Sequence, residues 1–201
     1  MFSLPTLSID SGLHTFAGQS ASFDNLTVSV ASTFVYVAAA IALAAIWRAR
    51  QAGRAAVSIV VGALLALGAG QLIGAAWFRP RPFDAEHFQP LMAHGRDSSM
   101  PSDHLLAAGA LFAGVWLVHR RASVLVALVA VLLGAARCIA GVHYITDVVA
   151  GFAIGSLATL LAWTLLAPLD DALLRLDSQL IRWHLRPGAS PVDQVRDGAG
   201  G

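Results

Sequence analysis

The sequence predicts an all-α protein, a polytopic transmembrane helix bundle of about five spanning helices with interfacial helices at its ends. Three observations predict it. Of 201 residues, 57% are hydrophobic and only 12% charged, and the mean hydropathy of +0.68 is far above what a water-soluble domain of this size carries. Long uncharged stretches recur along the chain. The arginines between them crowd into alternate connecting segments, as they do when successive helices cross a bilayer.

Taken in order, residues 1–24 form an extracytoplasmic or interfacial segment in which residues 7–26 carry a weak amphipathic pattern. No arginine or lysine precedes Arg48, so the start lacks the positive region of a cleaved signal peptide and the hydrophobic stretches are expected to persist in the mature protein. A transmembrane domain over residues 25–169 follows. Within it, residues 25–47, 55–78 and 148–169 are uncharged and long enough to cross a hydrocarbon core of ~30 Å at ~1.5 Å per residue. Residues 105–118 and 122–136 are shorter. By length each could be re-entrant or a buried helix, but both reach spanning length if their polar ends count. The first then starts at Pro101, because proline suits an opening turn, and the second runs from Arg121 to Arg137.

Beyond the last span, Leu173, Leu176, Leu180 and Trp183 recur at helical spacing with Asp171, Arg175, Gln179 and Arg182 between them. Residues 170–187 therefore read as a helix lying at the membrane surface. Residues 188–201, rich in Gly, Pro, Ser and Asp, read as a disordered tail.

Charge orients the bundle. Arg48, Arg50 and Arg54 mark the first loop, Arg120 and Arg121 the third, and Arg175, Arg182 and Arg186 the end, which places those sides in the cytoplasm. Arg79, Arg81, Arg96 and Arg137 then lie on the outer side, against the rule, and call for another explanation. With 13 basic and 12 acidic residues and no basic block, a nucleic-acid footprint has no support and nucleic acid is not expected as a partner. One cysteine, Cys138, rules out a disulfide within the chain. The spans carry almost no ionisable groups near their middles, which argues against a transporter; an assembly protein without catalysis is the other non-enzyme reading.

Polar groups collect instead at the outer helix ends: Arg81-Pro82, then Pro101-Ser102-Asp103-His104, then Arg137, His143 and Asp147. If the last span begins near His143, His143 and Asp147 share a helix face, and the carboxylate can hold one imidazole nitrogen while the other attacks. A helix opening at Pro101 would aim backbone N–H groups and its positive end outward, an anion site beside the Ser102 hydroxyl. Arg81 and Arg137 add planar guanidiniums suited to phosphate oxygens. Most other polar residues read more simply. His14, His87, His119 and His184 suit the interface or solvent, Cys138 suits packing, His94 and Arg96 could serve an outer loop or the site, and Gly62, Gly68, Gly70 and Gly74 suit close helix approach.

The order Arg81-Pro82, Pro-Ser-Asp-His at 101 to 104, and Arg137, five residues, His143, three residues, Asp147 resembles the three-part signature of the type 2 phosphatidic acid phosphatase family of membrane lipid phosphatases. The motifs cover roughly residues 70–150. The stretch from Arg79 through His94, Gly95 and Ser99 is most similar to bacterial undecaprenyl-diphosphatases of the bacitracin-resistance type. The resemblance implies that His143 attacks phosphorus and forms a phosphohistidine, that Asp147 orients it, and that His104 protonates the leaving group. It implies that Arg81, Ser102 and Arg137 hold the phosphoryl, with no metal or cofactor, and no metal-ligand spacing appears. The substrate implied is a lipid diphosphate met among membrane lipids at the outer face of a bacterial inner membrane, in cell-wall synthesis and bacitracin resistance. Phosphatidylglycerophosphate, phosphatidic acid and lipid A phosphatases or phosphotransferases share the constellation. Three positions depart from the family. Gly74 stands where a lysine is usual, leaving that cation missing or supplied by Arg79. Asp103 replaces a glycine, a carboxylate that calls for pairing with an arginine such as Arg79 or Arg96 but that a helix N-terminus also favours, and Ala136 replaces a serine.

Overall fold

The structure, a computed structural model, describes residues 13–47, 49 and 51–169. The expected surface helix at 170–187 and tail at 188–201 lie outside the described residues. Five long or apolar helices make the bundle: α1 (Ala21–Trp47), α2 (Ala52–Ala76), α4 (Asp103–Val118), α5 (Arg120–Ile139) and α6 (Ile145–Leu165), with a single-turn helix α3 (Pro82–Ala85) between α2 and α4. Short 3-10 turns at Leu13–Phe16 and Ala167–Leu169 flank them. Among the described residues there is no strand. Four of the helices are long and apolar enough to cross a membrane, α4 being the shorter apolar fifth.

Helix α4, at 16 residues or ~24 Å, is shorter than a bilayer core, yet it packs against α1, α2, α5 and α6. Half of its positions are buried, among them Leu105, Leu106, Ala108, Gly109, Ala110 and Val115. Its neighbours, not lipid, satisfy its apolar surface. The outer helices turn large side chains the other way, with Tyr36, Leu72, Leu64, Val131 and Leu157 all more than half exposed, as lipid-facing residues are.

Glycines draw α6 onto α4. A Cβ at Gly109 would stand 2.2 Å from the Phe152 carbonyl oxygen, one at Gly155 2.0 Å from that of Leu106, and one at Gly151 2.7 Å from that of Ser102. Only glycine allows backbones this close, which is how small residues act in membrane packing. The Ser102 amide donates to the carbonyl of Asp147 at 3.2 Å, so the first turns of α4 and α6 are tied edge to edge. At the opposite end of the bundle, Arg54 donates to the Trp163 carbonyl at 2.6 Å and lies 4.0 Å over its ring, pinning α2 to α6.

Several expected boundaries move. Helix α1 begins at Ala21, α2 stops at Ala76, and α6 occupies Ile145–Leu165 rather than 148–169. Pro101 does not open α4: Ser102 is the extended N-cap, at φ −75° and ψ 116°, so the proline stands outside the helix. Of the glycines expected at helix contacts, Gly62, Gly70 and Gly74 have close neighbours, whereas Gly68 has none within 4 Å.

Candidate active site

The sequence Arg137 to Tyr144 folds back on itself through a helix terminus. Gly141 adopts φ +78°, its amide donates to the Cys138 carbonyl at 3.0 Å, and the Val142 amide donates to the Arg137 carbonyl at 3.2 Å. These two bonds define a Schellman ending of α5, which needs a left-handed residue and so selects glycine. The reversal carries His143 back beside Arg137 and presents the Val142 carbonyl to Arg81, whose Nη1 donates to it at 2.8 Å. Spacing along the chain thus becomes proximity in space.

A second segment closes the site. The Ser99 amide donates to the Arg79 carbonyl at 2.8 Å, aligning residues 79–81 with residues 98–100. Phe83 and Leu91 donate their amides to the carbonyls of Gly141 and Ala140, each at 3.2 Å. His14 stacks on Phe88 with ring centroids 4.6 Å apart and pairs with Glu86 at 3.2 Å, covering the same loop.

Within this frame His143 is 3% exposed. Its Nδ1 lies 2.8 Å from the Ser99 carbonyl oxygen. A carbonyl only accepts, so Nδ1 carries the proton and Nε2 keeps its lone pair. That Nε2 faces two guanidiniums, Arg81 Nη1 at 3.2 Å and Arg137 Nη2 at 3.4 Å. Burial, reinforced by the charges of Arg137 and Arg81 and opposed by Asp147, pushes the His143 imidazole down to about 4. An imidazole so placed is neutral near pH 7, the state in which a free Nε2 lone pair can act as a nucleophile.

Asp147 is not on a helix face shared with His143, because α6 starts at Ile145. Its Oδ2 stands 3.7 Å from His143 Nδ1, beyond hydrogen-bond reach, and instead accepts from the Tyr144 amide at 2.9 Å. Its Oδ1 accepts from Arg79 Nη1 at 2.8 Å. The carboxylate therefore caps α6 and anchors Arg79, which also donates to Thr146 Oγ1 at 2.6 Å and lies 3.9 Å over the Tyr144 ring. Of the two compensations expected for Asp103, pairing with Arg79 or Arg96 does not occur, since Arg79 goes to Asp147 and Arg96 to Asp84 at 3.4 Å. Asp103 instead is exposed in the first turn of α4, where the helix dipole favours a carboxylate.

Ser102 is fully buried, and its Oγ, with Ser99 Oγ and Arg137 Nε, has no protein partner among the described residues. Unpaired buried polar atoms are costly, and all three are of a kind that a phosphate oxygen would satisfy. His104 is half-buried in the first turn of α4, within electrostatic reach of Arg137, His143, His94 and Arg81. His119, by contrast, caps α5 by accepting from the Ala122 amide at 3.2 Å, well outside the site. The structure thus gathers Arg81, Arg137 and His143 in direct contact, sets Ser102, His104 and Asp147 around them, and holds Arg79 one layer out. Two partners were not named from sequence, the Ser99 carbonyl and the Asp97 carboxylate, whose Oδ1 meets Arg81 Nε at 3.0 Å. A carbonyl leaves no mark in residue identity, and Asp97 looked like any polar loop residue.

Comparison with known proteins places this geometry. The family model described as the PAP2 superfamily matches residues 55–170. Undecaprenyl-diphosphatase BcrC of Bacillus subtilis is 26% identical over 90% of this chain and 95% of its own length. A lipid A 1-phosphatase of Rhizobium johnstonii is 39% identical over a shorter stretch, 37% of this chain and 30% of its own. The crystal structure of Aquifex aeolicus LpxE superimposes with a TM-score of 0.58 at 19% identity, covering 79% of this chain and 96% of that one. With the motif residues brought together at one end of an apolar helical bundle, the chain belongs to the PAP2 superfamily and is a multi-pass membrane phosphatase.

Proposed function

We propose that this protein hydrolyses undecaprenyl diphosphate to undecaprenyl phosphate through a phosphohistidine on His143. One observation carries the chemistry: the imidazole is fixed by Ser99 on one nitrogen and presents the other between Arg81 and Arg137. A phosphoryl group held by those guanidiniums would have its phosphorus in front of the Nε2 lone pair. The lone pair forms the N–P bond, the bond from phosphorus to the leaving oxygen breaks, and His104 supplies a proton to that oxygen where one is needed. Water then attacks phosphorus, the N–P bond breaks with its pair returning to Nε2, and the water's proton goes to His104, or through it to solvent where His104 has kept its own, leaving inorganic phosphate and a neutral His143. Arg81 and Arg137 oppose the charge on the equatorial oxygens in both steps, and Arg79 holds Asp147 and the start of α6.

The choice of substrate rests on the relative that aligns along nearly its whole length, named as an undecaprenyl-diphosphatase. Purified protein assayed on undecaprenyl diphosphate, phosphatidylglycerophosphate and a lipid A 1-phosphate tests it. The diphosphate should give the highest kcat/KM; a higher value for either of the others would reassign the substrate. The arginine pattern supports a site on the outer face, and the bacterial relatives support a bacterial inner membrane. A membrane-impermeant thiol reagent on intact cells should label a cysteine placed at Arg96 and not one placed at Arg121; the reverse would invert the topology.

A further inference from the structure

Apart from Arg137 Nε, which has no protein partner among the described residues, every nitrogen of the two guanidiniums already has an acceptor in the protein. Arg137 Nη2 has two N–H groups and two ring nitrogens in reach, His143 Nε2 at 3.4 Å and His94 Nε2 at 3.1 Å. Arg81 has a single Nε–H, and Asp97 takes it at 3.0 Å. The remaining partners, the carbonyls of Ala31, Val142 and Ser98, are backbone and fixed. His94 and Asp97 are different. They are side chains on one short turn, with His94 Nδ1 and Asp97 Oδ1 3.8 Å apart, and both reach solvent, at 23% and 66% exposure.

On the reading that Arg81 and Arg137 hold the phosphoryl group, we propose that His94 and Asp97 are two further residues of that site, internal acceptors that compete with the phosphoryl oxygens. Each presents to one guanidinium the kind of atom that a phosphate presents, an acceptor, and in Asp97 a negative one. Between turnovers they keep both guanidiniums desolvated and aimed at His143. An arriving phosphate takes their N–H groups, and His94 and Asp97 retake them as product phosphate leaves. The internal carboxylate therefore weakens retention of phosphate while leaving the donors in place. Burial and the charges of Arg81 and Arg137 hold the His94 imidazole below its ordinary range. Arg81 holds the Asp97 carboxyl below its own, outweighing the opposing effect of burial. Both are then in their acceptor forms near neutrality.

The test is the Kd of inorganic phosphate, measured by calorimetry on the full chain in detergent. Asp97→Asn and His94→Ala should each tighten binding, by about tenfold for the charge change, the effect of removing one like charge a few ångströms from a bound anion. Asp97→Glu, which keeps the charge, should bind as wild type, and Asp97→Asn should add nothing in an Arg81→Ala background. An unchanged or weakened Kd in both single variants would overturn the proposal and make the two residues supports for their arginines. Wild-type affinity in Arg81→Ala would instead defeat the reading on which it rests. The outcome does not depend on which lipid phosphate is the substrate.

Discussion

His143 and Ser99 are joined by the shortest contact the His143 imidazole makes, 2.8 Å from Nδ1 to a backbone carbonyl. The carboxylate four residues on stands 3.7 Å away. The tautomer of the proposed nucleophile is thus set by main chain, and Asp147 acts on it from a distance while binding Arg79 and the Tyr144 amide.

From this division of labour, His143→Ala should lower kcat by at least ~10³-fold, as loss of a nucleophile does, whereas Asp147→Asn should cost ~10- to 100-fold, the scale for an outer partner. Arg79→Ala should resemble Asp147→Asn, and the double variant should be no worse than the single ones, since both remove one pair. Steady-state kinetics on any hydrolysed lipid phosphate checks this. Additive losses would separate Arg79 from Asp147.

The turn that returns His143 to Arg137 depends on Gly141. An alanine there carries φ +78° at a cost of ~1–2 kcal/mol, and its Cβ would stand 2.5 Å from the Phe88 ring. Gly141→Ala should lower both Tm and activity. Gly109→Ala, whose Cβ would meet the Phe152 carbonyl oxygen at 2.2 Å, should lower Tm by forcing α4 from α6, at ~1–3 kcal/mol. Gly68→Ala, with open space around it, should be neutral or slightly stabilising. Thermal unfolding in detergent reads all three.

Acidification has a defined sign. The buried His143 titrates at about 4 when folded and near ~6.5 when unfolded. Its contribution to stability is therefore constant above about pH 6.5 and lost progressively as pH falls toward 4, because the unfolded chain takes up the proton first. His143→Gln should flatten the decline of Tm with falling pH in that window. For the same reason the His143 imidazole should show no ionisation near ~6.5 when its ring signals are followed by NMR against pH; a His143 signal that titrates near ~6.5 would contradict the neutral assignment.

His104 should matter in proportion to its leaving group. A lipid diphosphate expels a stabilised phosphate anion, whereas a lipid monophosphate expels an alkoxide that needs a proton. His104→Ala should therefore slow phosphatidic acid hydrolysis far more than diphosphate hydrolysis. Equal losses on both would mean that His104 binds phosphate instead of donating a proton.

Much of this was legible in the chain. Three of the apolar helices follow from hydropathy and length and two more once their polar ends count, and Arg81, Ser102, His104, Arg137, His143 and Asp147 stand out because polar groups gathered at helix ends need a reason. What the sequence hid was carried by backbone or by alternatives of equal local merit. The spacing of His143 and Asp147 suited a shared helix face, but Tyr144 takes an extended N-cap, at φ −84° and ψ 160°, and the helix starts after it. Pro101 suited an opening turn, but Ser102 caps in its place. Arg79 could have served phosphate or a carboxylate, and the fold brings Asp147 to it. His94 was balanced between solvent and site until the Schellman turn set Arg137 beneath it.

The central claim is that phosphate passes through Nε2 of His143. Rapid quench of the purified enzyme with a phosphorus-32-labelled lipid phosphate, followed by peptide mapping, measures this directly. The account predicts acid-labile, base-stable label on the peptide containing His143 and none in His143→Ala. Label on another residue, or turnover by His143→Ala at a rate near that of wild type, would contradict it.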